Sequence, residues 1–216
     1  MTNDAYDELT TTATATIRRV AVSSMDNNAY LITCSKTGEQ LLVDAADDSP
    51  RLLAMIESGG GGLSTVVTTH RHVDHVRALV DVFEATGATT AAGEDDAHAL
   101  PVRVQRRLRH CDELQVGALS LGVVHLRGHT PGSVALHLPG EPAAGEPGRL
   151  FTGDSLFPGG PGRTWSPEDF RSLMDDLEER VFGRFDDATV VHPGHGLPTT
   201  LGDERPHLGD WRARGW

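Results

Sequence analysis

The sequence predicts a layered α/β (α+β) domain. Segments rich in β-branched residues alternate with segments of helical periodicity, and this alternation occurs in two similar halves. The length of 216 residues fits one core better than two, and no low-complexity linker or shift in composition divides the chain. Residues 1–216 are therefore read as a single domain.

In the first half, residues 13–23 (ATATIRRVAVS), 29–34 (AYLITC) and 40–44 (QLLVD) read as strands, the last ending on Asp44. Ser49-Pro50 opens a short helix with proline in its first turn. Gly59 to Gly62 is a loop. Residues 65–69 (TVVTT) form a buried-type strand, followed after a histidine-rich run by a helix to about Thr86, with Ala78, Leu79, Val82 and Phe83 at helical spacing. In the second half, Leu119 to Leu126 and Ser133 to Leu138 are paired strands joined by Gly128-His129-Thr130-Pro131-Gly132. Pro139 to Gly148 is a solvated connection, and Leu150 to Thr152 a short strand. Ser166-Pro167-Glu168-Asp169 combines a serine cap, an early proline and acidic residues that suit a helix N-terminus; the helix is expected to reach about Phe182. Thr189 to Val191 is a last strand. Asp203 to Trp216 is helix-prone, with Trp211 and Trp216 expected to pack it down.

The formal charge of −12 repels nucleic-acid phosphates, and no basic stretch offsets it. Lys36 is the single lysine. Cys34 and Cys111 lie far apart, too few and too distant for a disulfide framework or a thiolate metal site, so both are expected to be reduced and semi-buried. Met1 to Thr14 has neither a basic nor an apolar leader region, and no stretch approaches a membrane span; the expected location is the cytoplasm, with no membrane or nucleic-acid partner.

His70, His72, Asp74 and His75 place four metal-binding side chains in six residues, where a strand runs out into a helix. Extended spacing puts His70 and His72 on one side. Imidazole and carboxylate without thiolate suit zinc, iron or manganese. His129 sits in a tight Gly/Pro turn, Asp154 follows a short apolar strand, and His195 lies just past another strand in Pro193-Gly194-His195-Gly196. Alone, each of these three would read as a turn residue. Together they fall at strand ends, where sites on layered sheets gather.

The succession HxHxDH, GHTPG, TGDSLF and PGHG resembles the metallo-β-lactamase superfamily, and is most similar to its glyoxalase II-like branch. The resemblance runs from about Ile17 to Gly196. It implies a four-layered αββα sandwich with two divalent metal ions at one edge, zinc first, with iron or manganese as alternatives. By motif position, His70, His72 and His129 would hold one ion and Asp74, His75 and His195 the other, with Asp154 bridging. Asp74 would also orient the nucleophile. Asp44 would hydrogen-bond the HxHxDH loop rather than ligate. His192 is a weaker substitute for His195. Arg163 occupies a position where glyoxalase II-like proteins carry a basic substrate contact. Asn27 to Tyr30 is a loop beside the cleft at most. His125 and His137 read as structural, and His98, His110 and His207 as surface residues.

The implied reaction is hydrolysis of a thioester of a small thiol by a hydroxide shared between the metals. A thiolate leaves without a protein acid, because a thiol pKa is about 8.5. The glutathione-binding C-terminal domain of glyoxalase II has no counterpart in the twenty-one residues after His195. The alternatives are a persulfide dioxygenase with one iron on His70, His129 and Asp154, or a lactonase or phosphodiesterase on the same fold. The dioxygenases share Gly162-Arg163-Thr164 but commonly continue it with aspartate, where this chain has Trp165.

Overall fold

The β-branched runs pair into two sheets. The first contains β1 (Glu8–Thr11), β2 (Ala15–Val22), β3 (Asn27–Cys34), β4 (Gln40–Val43), β5 (Leu63–Thr68), β6 (Thr89–Gly93) and β7 (Arg106–Leu108), hydrogen-bonded in that order. Its first four strands are antiparallel, and β4 to β7 are parallel. The chain then makes β8 (Glu113–Val116), β9 (Leu119–His125), β10 (Val134–Leu138) and β11 (Arg149–Gly153). A small ribbon of β12 (Leu156–Phe157) and β13 (Gly160–Pro161) precedes β14 (Val190–Pro193) and β15 (Thr199–Thr200). The second sheet has the order β15-β14-β11-β10-β9-β8, with β11 and β14 parallel. This computed structural model describes residues 6–215. Trp216, expected to anchor the last helix, lies outside the described residues.

Among the described residues the α-helices are α1 (Ser49–Ser58), α2 (Leu79–Thr86), α3 (Pro167–Leu177), α4 (Leu201–Glu204) and α5 (Leu208–Arg214). Asp48, not Ser49, caps α1, accepting from the Arg51 amide, and Pro50 takes the first turn as expected. Ser166 caps α3 through the Asp169 amide. A π-helical turn, Glu178–Phe182, carries α3 on to the anticipated Phe182.

Side-chain alternation along the strands then produces three apolar layers. Ile17, Ile32, Leu41 and Val67 from the first sheet meet Leu121, Val134, Leu136 and Phe151 from the second. Val20, Leu31, Leu42 and Val66 point the other way, onto Leu52, Met55, Ile56, Leu79 and Val82 of α1 and α2. Val124, Ala135, Leu150 and Val191 do the same on the second sheet, against Phe170, Leu173 and Leu177 of α3 and Trp211 of α5. Helix, sheet, sheet, helix is the expected αββα sandwich.

One expectation fails. Cys34 and Cys111 are both free thiols, but only Cys34 is buried; Cys111 is exposed in a turn with φ 68°. Among the described residues no helix is long and apolar enough to cross a membrane.

Phe151 is fully buried between the sheets. Phe151→Ala is expected to cost about 3–5 kcal/mol, because the cavity cannot collapse between two hydrogen-bonded sheets. Glu168→Ala, on the exposed face of α3, should stay within about 0.5 kcal/mol. Urea unfolding measures both.

Candidate metal centre

The predicted ligands converge where the ends of both sheets meet. β5 stops at Thr68, so His70 and His72 leave the sheet in a bend, and Val73–His75 forms a single 3-10 turn. His129 lies in the β9–β10 connection, Asp154 follows β11, and His195 follows β14.

Three overlapping groups of ligand atoms result; one, Asp44 with His70 and His75, shares its histidines with the two that match the predicted sets. His70, His72 and His129 offer ring nitrogens that lie within 4.8 Å of one another, and Asp74, His75 and His195 form a second such group. Asp154 reaches both. One of its carboxylate oxygens is 3.3 Å from His75 Nε2; the other is 3.4 Å from His195 Nε2 and 3.7 Å from His129 Nε2. Nε2 of His70, Nε2 of His129 and Oδ1 of Asp154 are buried without a hydrogen-bond partner. Orphaned polar atoms at such depth are costly. Imidazole nitrogens and a carboxylate oxygen facing one another form a donor set that a divalent cation satisfies.

The other ring nitrogens are occupied, which orients the set. His129 Nδ1 donates to the Arg163 carbonyl at 2.7 Å, and His195 Nδ1 to the Met25 carbonyl at 2.8 Å. A carbonyl only accepts, so each Nε2 is left to face the centre. His75 Nδ1 lies 2.9 Å from Asp44 Oδ2. Asp44 also accepts from the amide and hydroxyl of Thr69, both at 2.7 Å. This is the anticipated supporting role of Asp44, and it requires a left-handed backbone there, φ 58°.

Two further supports are not evident from the sequence. Asp96, almost fully buried, accepts from the Arg71 amide at 3.1 Å, from the Gly132 amide at 3.0 Å and from the Thr130 hydroxyl. It thereby ties the His70–His75 segment to the His129 turn. Asn27 and Asn28 are buried rather than a rim. Asn27 Nδ2 donates to Asp74 Oδ2 at 3.0 Å. The Asn28 amide and side chain hold the carbonyls of Gly194, Pro193 and Gly196, and Tyr30 donates to Pro193 at 2.7 Å. The segment around His195 is thus clamped to β3. Gly194 must be glycine, since a Cβ there would lie 2.2 Å from Asp154 Oδ1 and 2.8 Å from the His75 ring.

Environment separates the two sets. Burial, with the other histidines adding to it, holds His70 well below the ordinary histidine pKa, and burial likewise lowers His129 and His72. Burial also works against His75, but the Asp44 and Asp154 carboxylates outweigh it and raise its pKa to about 10. The hydrogen bond to Asp154 raises His195. Burial of Asp154 opposes ionisation, yet the His195 ring beside one oxygen and the charge of His75 beside the other drive its pKa far down. Asp74 is also lowered: the Asn27 hydrogen bond outweighs burial. In the protein without metal, His75 of the second set holds a proton at neutral pH where the rings of the first set are neutral.

The remaining candidates separate cleanly. His192 is packed in the core, stacked on Phe151 at 5.0 Å, with its pKa pushed down to about 3 by burial, and does not join either set. His125 braces the His129 turn through the Pro131 carbonyl at 2.8 Å, and His137 packs on Phe185. His98, His110 and His207 are exposed. Arg163 is exposed beside the centre, its guanidinium 4.5 Å from the Trp165 ring.

Asp96→Ala strips acceptors from two amides and a hydroxyl. It is expected to destabilise the fold by about 2–4 kcal/mol, with metal affinity falling about 10- to 100-fold. Thermal unfolding and competition with a chromogenic chelator check the two parts.

The model of the metallo-β-lactamase superfamily matches residues 25–195. Hydroxyacylglutathione hydrolase of Fuscovulum blasticum is 38% identical over 138 residues, 64% of this chain and 51% of the relative. The chain therefore spans about half the length of such curated relatives. Among solved structures, ETHE1 from Myxococcus xanthus superposes with a TM-score of 0.76 at 31% identity, covering 89% of this chain and 82% of that one. The di-iron-bound form of TTHA1623 gives a TM-score of 0.70 at 29% identity over 87% of this chain and 96% of that one. On this match and on its fold, the chain belongs to the metallo-β-lactamase superfamily.

Proposed function

We propose that the protein is a metal-dependent hydrolase that cleaves a thioester of a small thiol. The observation that carries this reading is the placement of Asp154 between two three-residue ligand sets. In this proposal His70, His72 and His129 hold one divalent ion and Asp74, His75 and His195 the other, with Asp154 shared. Zinc, iron and manganese all suit the donors, and the likeness to a di-iron-bound protein supports a pair of ions. When bound, such ions lower the pKa of a water toward neutrality and polarise a carbonyl oxygen.

The chain's own residues do the rest. Asn27 holds Asp74 at Oδ2, the oxygen that faces His75 and His195, and so fixes the carboxylate that in this proposal also orients the attacking water. Asp44 holds His75, and the Arg163 carbonyl holds His129. Arg163 presents a fixed cation to the substrate's thiol half. A thiolate departs unprotonated, so a protein acid is not needed. The hydroxyacylglutathione hydrolase relatives support a thioester and a small-molecule substrate. A cytoplasmic location is proposed with it, on the polar, weakly acidic character of residues 1–14.

A second reading is a dioxygenase acting on a persulfide, with one iron on His70, His129 and Asp154. The Gly162-Arg163-Thr164 segment favours it, and the likeness to ETHE1 fits it less strongly than the hydrolase relatives fit the first. Metal content together with oxygen uptake on a persulfide, set against thiol release from S-lactoyl thioesters, distinguishes them.

Asp154→Ala is expected to abolish thiol release and to lower metal occupancy; full activity would sink the two-metal proposal. Arg163→Ala should raise KM with metal content unchanged, and an unchanged KM counts against its substrate contact. His75 and His195 have raised pKa values, so protons must leave before the second ion binds. Affinity at the second set should therefore climb with pH across the neutral range, while the first set, already neutral, responds little. Zinc titrations at several pH values, with proton release recorded, measure this.

A further inference from the structure

Among the described residues, five large apolar side chains are exposed: Leu9, Met25, Val73, Trp165 and Leu197. Leu9 is on the edge strand β1. The other four stand on the segments that build the metal centre. Val73 lies between His72 and Asp74 and is 70% exposed. Leu197, two residues after His195, is 72% exposed. Met25 gives its carbonyl to His195. Trp165 sets its ring edge-on to His72 at 6.1 Å and donates its indole N–H to the His129 carbonyl at 3.2 Å. Phe157, partly buried, adds a ring 6.3 Å from His195. Apolar side chains scattered singly over a surface need no explanation, but a group gathered around a polar centre marks a binding surface.

The distribution is uneven. Met25, Val73 and Leu197 stand on the segments that carry Asp74, His75 and His195, and Phe157 lies against the His195 ring. The His129 side instead carries the Arg163 guanidinium against Trp165. A small hydroxylated acyl group such as lactoyl would leave the aliphatic side chains wet. A second copy of the chain is a poor occupant: two bodies of charge −12 repel, and a few side chains fall far below the roughly 800 Å² per partner of a stable interface.

We infer that the acyl half of the substrate is an apolar chain lying over Met25, Val73 and Leu197, with the thiol half toward Arg163 and Trp165. This rests on the thioester reading above and narrows it to a substrate class.

The test uses the zinc-loaded full chain and N-acetylcysteamine thioesters bearing lactoyl, butanoyl, hexanoyl and octanoyl groups. kcat/KM is expected to rise roughly twofold per methylene, about half the effect of full burial. In a Met25→Ser/Leu197→Ser variant with unaltered zinc content and circular dichroism, the octanoyl-to-lactoyl ratio should fall about fivefold or more. Binding gives a readout free of turnover: by calorimetry the S-octyl thioether of N-acetylcysteamine should bind more tightly than the S-(2-hydroxypropyl) thioether, and the variant should erase the difference. A flat or falling chain-length profile with equal thioether binding overturns the inference. So does a variant that changes sedimentation but not the ratio, which assigns the surface to a second copy. If no thioester turns over while the S-octyl compound still binds better, the thioester reading falls and the apolar surface stands.

Discussion

Asp44 is the constraint on which the centre depends. It ends β4 in a left-handed conformation that a non-glycine residue adopts only at a cost. Three hydrogen bonds offset that cost, from the Thr69 amide, the Thr69 hydroxyl and His75 Nδ1. The first two fix where the chain leaves β5, and with it where His70 and His72 begin. The third fixes the ring of His75, whose Nε2 faces Asp154. One carboxylate, itself outside the proposed ligand sphere, thus sets the direction of most of the histidine-rich run.

The same logic continues outward. Asp96 couples that run to the His129 turn, and Asn28 with Tyr30 couples β3 to the His195 segment. The Val134 amide donates to the Thr69 carbonyl at 2.9 Å, joining the end of β5 in one sheet to the start of β10 in the other. The centre therefore sits on a junction, not on one element. Its geometry is inherited from how two sheets are packed, through the layer that holds Phe151 and Val134.

Much of this was legible in the sequence because it is local. β-branched residues marked β2, β3, β5 and β9, and an apolar run marked β4; the Ser166-Pro167 cap marked α3; and the ligand candidates stood out by density and by their Gly/Pro settings. What escaped is what only long-range pairing creates. β1, β7 and β15 are short strands with mostly polar or half-exposed residues, and their identity comes from a neighbour's free edge. β6 is threonine, alanine and glycine, with little intrinsic strand signal. Asp96 stands in the acidic run Glu94-Asp95-Asp96, which reads as a solvated turn; only its contacts across 25 to 36 residues reveal an anchor. Asn27-Asn28 likewise has the composition of an exposed turn, and His192 is separated from His195 by packing that composition does not display.

The electrostatics of the two sets bear on how many ions the protein holds. Residues alone do not decide between one ion and two, since the one-iron reading uses His70, His129 and Asp154, all of which the two-metal reading also uses. The sets differ in what a cation must displace. At the first, burial has already removed the protons, so an ion meets neutral lone pairs and orphaned atoms. At the second, Asp44 and Asp154 draw a proton onto His75, and a cation must compete with it. Yet the field that favours the proton is the field of the carboxylates, and a divalent ion profits from it more than a single proton does. Asn27, by holding Asp74 ionised beside His195, adds a further negative charge to that side. In the two-metal proposal the proton on His75 leaves as the second ion binds, and the buried aspartate that follows β4 is the structural reason it is there.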